Sequence, residues 1–206
     1  MAILAINTAS SITQIAIDGA SKSWQAQNDE AERLMPAIDE LLTASNLTYK
    51  DLDKILVIKG PGSFTGLRVG VTVANTIANL QKVDLFAVDT FEYWWQKFDG
   101  DPARNALLIF AGKGGVYVSF DNGNASDAKL VDLPNLKKYL TDHNIEKVFG
   151  DITVDQKEVA DCEFIDINKD FAQTVEELMK KDHKPVKLVE PKYIKKPSIT
   201  QPKKKF

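Results

Sequence analysis

The stretch AILAINTASSITQIAIDGASKSWQAQ, residues 2–27, opens with two apolar strand-like runs joined by almost no linker. The alternation in AILAINTA and ITQIAIDG fits a hairpin, and SKSWQAQN supplies a third antiparallel strand. Asp18, at the hairpin's far end, reads as a turn residue. Outward from this stretch, Asn28 is placed to cap a helix, and the acids Asp29, Glu30 and Glu32 suit its positive end. Leu34, Ile38, Leu41 and Leu42 recur at helical spacing up to Ser45. Pro36 lies inside that pattern, so the helix either starts there or bends there.

Three antiparallel strands and a helix are followed by a strand (KILVIKG), a second helix, a strand (DLFAVDT) and a short helix (FEYWWQKF). That order is the ribonuclease-H-like half-domain of actins, sugar kinases and Hsp70-type ATPases. The pattern breaks at Asp99–Asn105, where a lobe boundary is expected. Beyond it, ALLIFAGKGGVYVSFDNG predicts a hairpin turning at Lys113–Gly115. A strand, a helix, two strands and a helix follow, giving a smaller lobe of related topology. The expected division is therefore an N-terminal lobe over 1–100, an abbreviated α/β lobe over 101–190 and a basic extended arm over 191–206.

The chain has 206 residues, 44% hydrophobic and 27% charged, with a formal net charge of −3. These are globular values, and the net charge is too small to indicate a partner. No apolar run approaches the roughly 20 residues that span a bilayer. MAILAINTASS lacks the basic start and long apolar run of a signal peptide, so a cytoplasmic location away from membranes is expected. Cys162 is the single cysteine, which fits a reducing compartment.

KGPGSFTGLRVGVTVANTIANL, residues 59–80, raises the question of a nucleotide. The phosphate loop G-x-x-x-x-G-K-[ST] fails because Leu67 and Arg68 follow Gly66. The dinucleotide pattern G-x-G-x-x-G fails because the third glycine comes one place late. Gly60, Pro61 and Gly62 instead make a tight turn, and Ser63 caps a helix beginning near Phe64. Along that helix Gly66, Gly70, Ala74 and Ala78 fall in one row. A helical glycine costs roughly 1 kcal/mol against alanine, which close approach of another backbone would offset. Packing and phosphate contact both remain open. In the second case Gly60, Gly62, Ser63, Thr65 and Arg68 are the residues nearest a nucleotide.

GPGSFTGLR, with ILAINTAS before it and ERLMPAIDELL between, resembles the TsaB family, formerly YeaZ. The family's usual forms are I-L-A-I-D-T-[AS], H-S-E-R-L-L-P-x-I-D-x-L-L and G-P-G-S-F-T-G-[LI]-R-[IV]-G. GGVYVSF and VEPKYIKKP resemble its R-x-x-E-V-Y and P-x-Y-L-R segments. The likeness covers nearly the whole chain and is strongest over Ile3–Leu80.

The resemblance implies an actin/Hsp70-type fold and a non-catalytic role. The protein would dock on a catalytic paralogue, TsaD, and self-associate as a homodimer without it. With the ATPase TsaE, the complex would transfer a threonylcarbamoyl group to the adenosine beside the anticodon of tRNAs reading codons that start with A. ATP and a metal ion would belong to the partner subunits, with no cofactor or metal of this chain's own. The partner-binding residues would be Leu34, Ile38 and Leu41 with Gly66, Gly70, Ala74 and Ala78. Lys203, Lys204 and Lys205 would attract tRNA phosphates, or serve only as a solubilising tail.

The residues also speak against catalysis directly. His143 and His183 are too far apart in sequence to bind a metal from one helix face. Ser10, Ser11 and Ser63 lack a neighbouring histidine base. Cys162 stands among acids that raise its pKa. Phosphotransfer in this fold class uses an acid at the end of the first strand, and here that position is Asn7. Phe91, Trp94, Trp95 and Phe98 share a helical face suited to a lobe interface. The alternative is a self-sufficient ATP-dependent phosphotransferase of the same fold.

Overall fold

The computed structural model describes residues 1–27, 29–120 and 128–194. The first sheet contains β1 (Ala2–Asn7), β2 (Ile12–Ile17), β3 (Ala20–Gln25), β4 (Leu52–Ile58) and β5 (Asp84–Val88), ordered β3-β2-β1-β4-β5. The β1-β2-β3 pairs are antiparallel, whereas β1-β4 and β4-β5 are parallel. Helices α1 (Glu30–Ala44) and α2 (Phe64–Gln81) cover one face. There Leu4, Ile6, Ile15, Ile55 and Val57 meet Leu34, Ile38, Val71 and Ala74. The opposite face presents Ala5, Ala16, Leu56 and Ile58. Burial on both faces makes AILAI continuously apolar.

α3 (Thr90–Lys97) leads into the second sheet, formed by β6 (Asn105–Phe110), β7 (Gly115–Ser119), β8 (Lys129–Asp132), β9 (Lys147–Asp151) and β10 (Glu163–Phe164). Its order, β10-β9-β6-β7-β8, with the same senses of pairing, reproduces the first sheet. α4 (Leu133–Asp142) and α5 (Val154–Ala160) correspond to α1 and α2. The last helix of each unit crosses over. Phe91, Trp94, Trp95 and Phe98, from α3 and the residue after it, pack on Leu107, Ile109, Tyr117 and Phe149 of the second sheet. Phe98 stacks on Phe149 with ring centroids 4.4 Å apart, as the aromatic pattern predicts for a lobe interface.

α6 (Phe171–Leu178) reciprocates, burying Phe171, Val175 and Leu178 under the first sheet. The chain then returns along the first lobe, where Val186 N–H donates to Leu85 O at 2.8 Å and Asn75 bonds Val189 in both directions. The expected partition at 101–190 is thus corrected. The second sheet ends at Phe164, and the described residues from α6 to Tyr193 pack on the first lobe, whose face opposite α1 and α2 is apolar. Pro36 lies inside α1 rather than at its start, and Asp29 occupies the N-cap position. Asn28, expected there, lies outside the described residues.

Ser63 caps α2 as the sequence predicts, its hydroxyl accepting Gly66 N–H at 3.2 Å. Ser63→Ala should cost about 1 kcal/mol. In a chain of this size that lowers the melting temperature by roughly 2–4 °C in a calorimetric scan.

Candidate functional site

The small-residue row of α2 faces inward. A Cβ on Gly66 would fall well under 3.0 Å from the Thr8 carbonyl oxygen, and one on Gly70 would collide with the Thr8 side chain. Thr8 Oγ1 also donates to Gly66 O at 2.6 Å. Ala74 and Ala78 continue the row into the core beside Leu34, Ile38 and Leu41. The expectation that these seven residues form the partner surface is therefore corrected. The backbone that approaches the glycines is Thr8–Ala9 of the same chain. The aliphatic residues are the stripe by which α1 and α2 sit on their own sheet.

The outward side of α2 is different in kind. Phe64, Thr65, Arg68, Thr72, Thr76, Asn79 and Leu80 are exposed there, with Val69 and Val73 half-buried between them. Leu80 is 68% exposed and Phe64 39%, and Met35 of α1 is also exposed. Arg68 is the single charge in the 18 residues of α2.

The glycine loop is built into the chain on two sides. Ser63 N–H donates to Ala9 O at 2.8 Å, and Gly62 lies so close to Ala9 that a side chain would strike its carbonyl. Gly60 O accepts Thr90 N–H at 3.0 Å, and Lys192 N–H donates to Lys59 O at 2.7 Å. Tyr193 closes the strap against Phe64 with centroids 5.1 Å apart, while the Arg68 guanidinium lies 4.1 Å over the Phe64 ring. Thr65 is exposed beside them. The loop is thus wedged between Ala9 and a returning strap. Sequence reasoning placed 191–206 as a basic extended arm and missed the anchoring of its first residues, which Tyr193 and Val189 alone could have signalled. Lys203, Lys204 and Lys205 lie outside the described residues.

At the end of β1, Asn7 is fully buried. Its Nδ2 donates to Gln14 Oε1 at 3.1 Å and to Ser10 Oγ at 3.4 Å, and its Oδ1 accepts Ala9 N–H at 3.1 Å. Tyr93, held neutral by burial, donates to the same Gln14 oxygen at 2.7 Å. In this orientation Gln14 turns its oxygen to both Asn7 and Tyr93, and Asn7 serves it as a donor. Gln14 and Tyr93 carry no sequence signal of this role, since they meet only in the fold. Above them opens an inter-lobe cleft of about 390 Å³, lined among others by Ser10, Ser11, Trp94, Lys97 and Asp151.

The remaining candidates fall apart. His143 stacks on Phe120 at 4.8 Å, whereas His183 Nε2 lies 2.9 Å from Glu92 Oε1, half-buried rather than on open surface. Burial first, and then Asp161, pushes the Cys162 thiol up. Among the described residues no three His, Cys, Asp or Glu side chains converge to hold a metal ion. No described helix is long and apolar enough to cross a membrane.

Asp170 ties the start of α6 to β3 of the first lobe. Burial alone would raise its pKa, but the Ser21 hydroxyl and the first N–H groups of α6 outweigh it and hold the carboxyl below its ordinary value. A depressed folded pKa contributes stability above the ordinary carboxylate range that is lost as pH falls through the folded value. Asp170→Asn keeps a competent cap without the titration. Its melting temperature should therefore fall less steeply than the native chain's between about pH 5 and about pH 3.

Two copies of one β-β-β-α-β-α-β-α unit that exchange their last helices define a class, the two-lobed ribonuclease-H-like fold of the actin and Hsp70 type. The family model described as TsaD: tRNA N6-adenosine threonylcarbamoyltransferase matches residues 3–195. Within that kinship, the chain belongs to the TsaB (YeaZ) family. The tRNA threonylcarbamoyladenosine biosynthesis protein TsaB of Bacillus subtilis (strain 168) is 38% identical over 97 residues, 45% of this chain and 42% of the relative. That of Escherichia coli (strain K12) is 31% identical over 125 residues, 57% and 53% respectively. The chain thus spans about half the length of the curated relatives it matches. YeaZ from Pseudomonas aeruginosa superposes with a TM-score of 0.50 at 25% identity over 63% of each chain. A protein described as similar to peptidase YeaZ from the same organism matches in fold, with a TM-score of 0.61 at 18% identity over 94% of this chain and 99% of that one.

Proposed function

We propose that this chain is a non-catalytic subunit of a tRNA threonylcarbamoyladenosine synthase, acting by binding the catalytic paralogue TsaD through the outward faces of α1 and α2. The observation that carries the reading is the exposed side of α2. In a chain that is 27% charged, this 18-residue helix bears one charged residue, and Leu80 stands open on its surface while Phe64 is partly covered by Tyr193 and Arg68. Depletion of charge with retained apolar surface is the composition of an interface centre. The names of the relatives support the pathway.

The chain's own chemistry supports the non-catalytic part. Asn7 brings an amide where phosphotransfer would need a carboxylate, and it is spent on Gln14, Ser10 and Ala9. The strap at Lys192–Tyr193 lies over the glycine loop. ATP and metal chemistry then belong to TsaD and TsaE, tRNA is met by the assembled complex, and the same charge-poor face pairs two copies when TsaD is absent.

Reconstitution tests the proposal. With TsaD, TsaE, tRNA and the threonylcarbamoyl donor, modified adenosine should form only when this chain is added. The chain alone with Mg²⁺ and ATP should release no more phosphate than a buffer blank. Transfer at an equal rate without the chain, or sustained ATP turnover abolished by changing Asn7, would overturn the reading.

A further inference from the structure

A polar contact spans the mouth of the inter-lobe cleft. Ser11, in the turn after β1, donates its N–H to Asp151 Oδ2 at 2.7 Å and its hydroxyl to Asp151 Oδ1 at 2.6 Å. Asp151 closes β9, 140 residues further along, so this pair ties the first lobe's hairpin to the second lobe's sheet. Two donors converging on the two oxygens of one anion make a geometry fitted to oxyanions in general.

The charges behind the contact indicate what would follow from its loss. The cleft wall carries Lys97, Lys157, Asp151 and Asp166. Lys157 lies 4.0 Å from Asp166. Lys97 is only 7% exposed and rests on the rings of Tyr93 and Trp94. Lys157 and Asp166 are set against each other, and the carboxylate whose charge bears on Lys97 is Asp170, so Asp151 has Ser11 as its partner in the cleft.

We propose that Asp151 is an internal oxyanion. Its carboxylate fills the donor pair of Ser11, latches the two lobes and denies those donors to free phosphate or carboxylate groups. Removing it opens two donors and takes one negative charge from a wall that also carries Lys97 and Lys157, so the ligand then admitted is a small oxyanion and not a cation. This inference stands apart from TsaD binding, because Ser11 and Asp151 belong to neither α1 nor α2.

The test follows the Ser11 amide by NMR in the full chain, comparing the native protein with Asp151→Ala and Asp151→Asn. In the native chain this amide should exchange slowly although Ser11 is exposed, and inorganic phosphate should not move its resonance. In Asp151→Ala exchange should accelerate by about tenfold or more as the bond is lost. The resonance should then shift saturably with phosphate but not with chloride at equal ionic strength. Asp151→Asn, which keeps the side chain's size and one acceptor, should fall between the two and serves if the alanine variant unfolds. ADP titrated in parallel separates a nucleotide's phosphate from the free ion. A response to phosphate, with or without ADP, supports the assignment, and a response to ADP alone overturns it. Unchanged exchange in both variants, or an equal phosphate response in the native chain, also overturns it.

Discussion

Alanine in place of Gly66 lowers the melting temperature by roughly 6–12 °C, from about 3 kcal/mol of overpacking in a chain of this size. The sign makes the prediction informative. On an exposed helix the same change would stabilise by roughly 1 kcal/mol, because glycine is a poor helix former. Here the new methyl would meet the Thr8 carbonyl oxygen, a backbone atom fixed by the end of β1, and the only relief is to separate α2 from the sheet. That separation would also break the 2.6 Å bond from Thr8 Oγ1 to Gly66 O. Gly114→Ala is the matched control, since nothing lies within 4 Å of its added methyl and its φ is not positive. Differential scanning calorimetry of the two variants reads the difference directly. A Gly66→Ala chain as stable as the native one would place the small-residue row somewhere other than the core.

That row shows where sequence reading succeeds and where it stops. The four-residue spacing of Gly66, Gly70, Ala74 and Ala78 announces a close approach, and α2 does pack closely along it. Spacing is silent about whether the approaching backbone belongs to the same chain or to another. Local signals were legible for the same reason: the hairpin turn at Asp18, with φ 48°, the Ser63 cap and the aromatic face of α3 depend on neighbours in sequence. The repeat of the unit was legible only in part, because the two strands after α4 read as consecutive and α5 (Val154–Ala160) between them carries too short an apolar pattern to announce itself. The crossover of α6, the strap at Val189–Tyr193, the Asn7–Gln14–Tyr93 network and the Ser11–Asp151 contact were not legible. Each joins residues whose pairing is decided by how the lobes pack rather than by any local pattern.

The second large effect concerns the charge-poor face. Thr72 is exposed near the middle of α2, between the half-buried Val69 and Val73. Arginine there suits the free chain, being a better helix former than threonine and free to extend into water. At the centre of an interface it would be an unpaired charge stripped of water, which costs several kcal/mol, so affinity for TsaD should fall about a hundredfold. Thr141→Arg, on the exposed side of α4 in the other lobe, should change nothing. Isothermal titration of TsaD with the native chain, Thr72→Arg and Thr141→Arg, alongside a melting temperature for each, tests the central claim most directly. The account predicts three equally stable proteins, of which Thr72→Arg alone loses binding. Native affinity in Thr72→Arg, or no association of the native chain with TsaD, would contradict it.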